Sequence, residues 1–136
     1  MGSWFTLSLI TLFLWGFWSF FPKLATSYLD PGSVMVYEIM GNLLVAMGVL
    51  AAIGGKLEVH GKGITFALLA GVCGASGLIL YIYALKLGKT AVVITLTALY
   101  PLVGILLSYL FLKEPITLKQ GLGMVFAIIA VVLFYG

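Results

Sequence analysis

Arginine is absent from this 136-residue chain, and charge of either sign is scarce. Charged side chains make up 8% of the residues, against about 25% in a soluble domain. That shortage excludes a soluble globular fold, which would lack the polar side chains needed to wet its surface. It also excludes a disordered tail, which needs low hydrophobicity. Seven lysines against four acids give a formal charge of +3. They are scattered rather than clustered, so no nucleic-acid partner is expected. The single cysteine, Cys73, excludes an internal disulfide and leaves the redox compartment unread. The single histidine, His60, has only Glu58 near it in sequence, too few ligands for a metal, so both read as solvated loop residues. There is no Ser/His/Asp set, phosphate loop or metal-ligand cluster. Neither an enzyme nor a cofactor is expected.

What is abundant is apolar surface: 63% of residues are hydrophobic, and the mean hydropathy is +1.25. Such a chain is solvated mostly by lipid. A membrane-spanning helix needs about 20 apolar residues, and five runs of that kind are present, at residues 4–27, 31–54, 63–87, 90–112 and 118–135. The expected fold is therefore an all-α membrane protein with five transmembrane helices, forming a single domain over residues 1–136. The first run has no basic leader and no convincing cleavage site, and reads as a retained helix, with an uncleaved signal anchor as the alternative. Asp30-Pro31 is a start signal for the second run, since Asp caps and Pro fits the first turn. Gly88 suits a left-handed stop after the third. Thr117 and Gln120 have capping-box spacing ahead of the fifth.

An odd number of spans puts the two termini on opposite faces of the membrane. One face then carries Lys56, Lys62, Lys113 and Lys119, and the other Lys23, Lys86 and Lys89. Four lysines against three is nearly a tie under the positive-inside rule, and it permits insertion in both orientations.

Polar groups inside the runs mark candidate sites. Thr11, Trp15, Ser19 and Lys23 recur at spacing four along one helix face, with Ser8 and Trp18 flanking. Pro22 leaves the Trp18 carbonyl without its helical donor. The stripe reads either as a cavity lining or as helix packing with a tolerated kink. Glu38 and Asn42 share a face of the second run, with Glu38 roughly 8 Å into the helix by its rise. A carboxylate at the bilayer centre costs on the order of 3 kcal/mol. Protonation or pairing lowers that cost, and Lys23 is the expected partner, sharing one cavity with Glu38. The alternative is a purely structural pair, or a carboxylate that reaches the interface. In the fourth run Thr97, Tyr100, Pro101, Gly104 and Ser108 stand together, and Pro101 frees the Thr97 carbonyl. The expected binding residues are Glu38, Lys23, Trp15, Ser19, Asn42, Thr97 and Tyr100. In the third run Ala67, Gly71 and Ala75, like Ala70 and Gly74, repeat at four and are expected to pack against other helices. Tyr81 and Tyr83 read as members of an interfacial aromatic belt. The fifth run, with Gly123, Ala127 and Ala130, reads as scaffold or subunit contact.

Short motifs add a resemblance. The first run contains Leu14-Trp15-Gly16, Tyr83-Ala84-Leu85 ends the third run, and Leu99-Tyr100-Pro101-Leu102 is followed by Phe111-Leu112-Lys113-Glu114. Gly123 follows in the fifth run, with Ala130 where a second glycine is usual. In order and spacing these resemble an EamA-type half of the drug/metabolite transporter superfamily. The resemblance implies one half of an inverted-repeat transporter of small metabolites or drugs, in the plasma (inner) membrane of a prokaryote. Two features depart from the pattern. Members usually carry ten helices in two inverted halves. Many also have an arginine early in the second helix, where this chain has Glu38. Substrate charge and coupling ion therefore stay open.

A unit with an odd number of spans, duplicated, gives two halves of opposite orientation with the site at their interface. The expected partners are the lipid bilayer, a small-molecule substrate and a second copy of the chain. The homodimer is expected to be antiparallel, with a parallel dimer or a heteromer as alternatives. Trp15 and Trp18 are expected to stack on a planar or cationic solute. Two rival readings are a small multidrug-resistance-type proton antiporter and a non-transporting accessory or lipid-translocating subunit. The first fits less well, because that family has four helices with its key glutamate in the first. A cysteine tag at Met1 should label from both faces of the membrane; labelling from one face alone would argue against dual insertion.

Overall fold

Asp30 begins the second span in the way its chemistry predicts. In the computed structural model, which describes residues 3–135, its side-chain oxygens accept from the Ser33 amide at 3.0 Å and the Ser33 hydroxyl at 2.7 Å. Those bonds, the side-chain one foremost, hold the exposed Asp30 carboxyl below its usual pKa. Pro31 occupies the first helical turn, where its missing N–H costs nothing. The chain is all-helical among the described residues, and five of its segments are long and apolar enough to cross a membrane. Met1, the site of the proposed tag, lies outside the described residues.

The chain divides into two units at Leu87–Gly88. The first contains α1 (Ser3–Ala25), α2 (Pro31–Ala52) and α3 (Gly61–Leu87). Two consecutive left-handed glycines, Gly54 at φ 66° and Gly55 at φ 72°, follow α2. Their amides close on the Ala51 and Leu50 carbonyls at 3.0 and 2.9 Å. A side chain at either position would be strained. Helix α3 starts two residues earlier than expected, because His60 caps it. The His60 carbonyl accepts from Ile64 at 2.9 Å, and its Nδ1 accepts from the Gly63 amide at 3.3 Å. His60 is thus a capping residue rather than a merely solvated one. Gly88 is not left-handed, so the stop after α3 is not the glycine cap the sequence suggested.

Helix α3 packs against both α1 and α2. Its contact face is not the small-residue stripe. Ala67, Ala70, Gly71 and Gly74 are exposed, and nothing approaches the Cβ positions of Gly71 and Gly74 within 4 Å. The buried face is Leu78, Tyr81, Ile82 and Leu85, at helical spacing in the C-terminal third. Leu78 and Ile82 meet Val34, with Ala25 and Met35 against them. The core of this unit therefore sits where α1 ends, α2 begins and α3 ends.

The second unit contains α4 (Thr90–Thr97), α5 (Tyr100–Leu107), a π-helical turn at Ser108–Leu112, and α6 (Leu118–Tyr135). Helix α4 packs against α6. The fourth span, Thr90–Leu112, is broken at Ala98 and Leu99 rather than continuous. Leu99 closes a tight turn onto the Leu96 carbonyl at 3.2 Å, and Pro101 lies in the first turn of α5. The π-helical turn ends at Lys113, which has left-handed backbone at φ 56° and whose amide bonds to the Ser108 carbonyl. Before α6 the capping box forms in full. The Gln120 side-chain oxygen accepts from the Thr117 amide at 2.8 Å, and the Thr117 hydroxyl accepts from the Gln120 amide at 3.3 Å.

Removing the threonine half of that box should weaken the start of α6. Thr117→Ala should lower stability by about 1 kcal/mol, read as a lower midpoint of thermal unfolding in detergent, while Thr117→Ser should keep most of the midpoint.

Candidate functional site

Lipid supplies no water to satisfy a polar side chain, so each hydroxyl inside a span must find a partner in the protein. Most do so within their own helix. Ser8 and Thr11 donate to the carbonyls four residues back, at 2.8 and 2.9 Å. Ser19 donates to Gly16 at 2.8 Å. Thr97 donates to Val93 at 2.8 Å and to Ile94 at 3.1 Å. Bonds of this kind satisfy the hydroxyl and leave little polarity for a solute. The hydroxyls of the α1 stripe thus bond within their own helix. Trp15 is exposed. Asn42 is exposed, and its side chain makes no hydrogen bond to another described residue. Thr97 and Tyr100 flank the break in the second unit.

A different group of residues is brought together at the core of the first unit. The Trp18 indole N–H donates to Glu38 Oε1, joining α1 to α2. The Trp18 ring also stacks on Tyr81 of α3, with centroids 5.6 Å apart and planes 13° from parallel. The Tyr81 hydroxyl donates at 2.7 Å to the Ser19 carbonyl. Tyr81 is buried and belongs to this cluster, not to an interfacial belt; Tyr83, two residues on, is exposed. Tyr81 falls on the same helical face as Leu78 and Leu85, which was the available sequence signal for its burial.

Lys23 and Glu38 do not form the expected ion pair. The Lys23 ammonium donates at 2.7 Å to the Leu85 carbonyl instead, and Glu38 makes no ion pair among the described residues. The reason is local. Helix α3 ends at Leu87, so its last carbonyls lack helical donors. An ammonium at a helix C-terminus meets both those carbonyls and the negative end of the helix dipole. Lys23 therefore ties α1 to α3, while Glu38 is served by Trp18.

Beside the carboxylate lies a cleft of about 270 Å³. Its walls are Trp18, Phe21, Pro22 and Ala25 of α1, Leu29, and Val34, Tyr37 and Glu38 of α2. Glu38 is half-buried and is the only residue on these walls that can carry a full charge near neutral pH. The second unit holds a larger cleft of about 570 Å³, lined among others by Pro101, Gly104, Ser108, Glu114 and Gln120. Of the expected binding residues, only Glu38 lies on the wall of either cleft.

Five apolar spans, with a carboxylate and an indole joined between two of them, define a multi-pass α-helical membrane protein with a polar site inside its spans. The chain belongs to the EamA-like transporter family, which it matches over residues 2–136. It is also 32% identical over 127 residues to an uncharacterised protein of the archaeon Methanocaldococcus jannaschii. That match covers 93% of this chain and 92% of the relative, so the relative is of similar length. No solved structure matches the chain.

The absence of a Lys23–Glu38 contact can be measured. In a double-mutant cycle of Lys23→Met and Glu38→Gln, thermal unfolding should give a coupling below about 0.5 kcal/mol. A coupling of about 1 kcal/mol or more would mean that the two charges interact directly.

Proposed function

We propose that the protein carries a small organic solute across the inner membrane of a prokaryote by alternating access, as a homodimer. The observation that carries this reading is Glu38, a carboxylate half-buried inside a span and held by Trp18 on the wall of a cleft. An ionisable group at that depth is costly to keep, and in membrane proteins such groups mark solute, ion or proton paths. Membership of a transporter family supports the same reading. Catalysis plays no part in it.

In this reading Glu38 takes up a proton or a cationic group in one state and releases it in the other. Trp18 orients the carboxylate, and Lys23 fixes the end of α1 against α3 so that the site keeps its shape. Asn42, one turn deeper on α2, and Trp15, one turn before Ser19 on α1, extend the path. Thr97 and Tyr100 keep a proposed solute-binding role in the second unit, where they flank the break of a discontinuous span.

The dimer rests on topology. Five spans reverse the orientation of a second tandem copy, and the near tie of lysines permits two copies to insert oppositely. The exposed Ala67, Gly71 and Gly74 of α3 are suited to close helix approach by a second copy.

Flux of a panel of solutes into proteoliposomes, with and without a proton gradient, tests the reading. Glu38→Gln should abolish gradient-driven flux while the protein still expresses and inserts. Unchanged gradient-driven flux in that variant would remove Glu38 from the mechanism.

A further inference from the structure

Asp30 caps α2 with a carboxylate, and Thr117 caps α6 with a hydroxyl. Neither acceptor changes its form around neutral pH. Helix α3 is capped by an imidazole instead: His60 Nδ1 accepts from the Gly63 amide at 3.3 Å. A neutral ring that accepts at Nδ1 carries its proton on Nε2. A second proton would go onto Nδ1 and end that bond. It would also set a positive charge at a helix N-terminus, where the dipole opposes it.

Little else supports the first turn of α3. Its opening residues are Gly61, Lys62 and Gly63, and glycine is the poorest helix former after proline. No acidic residue stands in that turn, and Lys62 brings a charge of the wrong sign for a helix start. His60 and residues 61–74 are exposed, and the buried face of α3 lies at its other end. Nothing comes within 4 Å of the Cβ position of Gly61, and at Gly63 the neighbours are atoms of His60. The ring has no charged partner. Lys56, Glu58 and Lys62 of the same segment form no ion pair with it, and neither does any charged group of α1 or α2 among the described residues.

From this arrangement we propose that His60 is a pH-operated cap, which on taking up a proton releases the Gly63 amide and unwinds the first turn of α3. The neutral ring keeps the turn wound. As the pH falls through the range in which imidazoles titrate, about pH 8 to 5, Nδ1 takes a proton from water and the amide turns to water for its acceptor. The wound form holds one proton fewer, so acid favours the unwound form. Gly61, Lys62 and Gly63 precede Ile64, the first apolar residue of the span, so the backbone they release meets water and not lipid. The connection between α2 and α3, which runs from Ile53 to His60 and begins with the left-handed Gly54 and Gly55, then lengthens to Gly63. It lies on one face of the membrane, so the cap responds to the pH on that side. The inference does not depend on the transport reading.

The test is nuclear magnetic resonance of the isotope-labelled full chain in lipid nanodiscs, titrated from about pH 8 to about pH 5.5. His60 is the only histidine, so the ring nitrogen signals report its protonation and tautomer without ambiguity. The Cα shifts of Gly61, Lys62 and Gly63 report whether the turn is wound. They should move from helical toward coil values with the same midpoint as the ring, and the wound-to-unwound ratio should fall about fivefold, the size of an ordinary N-cap. Ser33 and Val34, behind the Asp30 cap, should stay helical throughout. Asparagine caps without titrating, so His60→Asn should keep the turn wound at every pH. His60→Ala should leave it about fivefold less wound at pH 8 and remove the response to acid. His60 is exposed, so neither variant disturbs the core. Cα shifts that stay helical while the ring titrates, or a response to acid that survives in His60→Asn, would overturn the proposal. Neither result bears on solute flux, so this inference and the transport reading stand or fall separately.

Discussion

Three polar bonds that meet on α1 between Trp18 and Lys23 hold the first unit together. Trp18 reaches Glu38 of α2, the Ser19 carbonyl receives the Tyr81 hydroxyl of α3, and Lys23 reaches the Leu85 carbonyl of α3. In water, burying the few core side chains would suffice to bring such helices together. In lipid the surroundings are as apolar as leucine, so apolar burial between helices gains little beyond van der Waals packing. Hydrogen bonds between helices then carry a larger share of the association. That is why the core, Val34, Leu78 and Ile82, lies at the same level as these bonds and not along the whole length of the helices.

The same bonds prepare the site. A carboxylate at this depth needs a donor, and the indole N–H provides one without neutralising it. Lys23, serving the end of α3, leaves Glu38 without an ion pair among the described residues. One set of contacts thus answers both the packing problem and the charge problem. For a transporter this has a consequence. Any motion that separates α1 from α2 must break the Trp18–Glu38 bond, so the carboxylate's partner changes along with the helix positions. The second unit is irregular in a different way. Its broken span and π-helical turn leave backbone groups outside regular helical pairing. Such interruptions are common where membrane helices serve a function.

Much of the fold was legible because membrane spans obey a length rule. Each of the five runs appears as a span with ends within about two residues of the expected ones, apart from the interior break of the fourth. Asp30, Thr117 and Gln120 cap as their spacing indicated, since caps involve only neighbours in sequence. Pro101 pointed to the neighbourhood of the break, though not to a full interruption two residues before it. The family was legible in the order of short motifs, and the whole-chain family match agrees with it.

The site was legible only in part. Glu38 stood out because a charge in an apolar run is rare. Its partner did not, because lysine is the obvious candidate on grounds of charge alone, and the competing claim of the α3 carbonyls depends on where α3 ends in space. Spacing likewise favoured the small residues of α3 over Leu78, Tyr81 and Ile82, yet the latter form the contact face. Periodicity identifies the faces a helix has but not which of them meets a neighbour. By itself, then, the sequence determined the solvent, the number of spans, their caps and the one carboxylate within them, because these follow from composition and from residues a few positions apart. Only the tertiary structure decided that the carboxylate pairs with an indole while the ammonium closes a helix end. That choice is a competition among groups far apart in the chain, settled by which helix ends come within hydrogen-bonding reach.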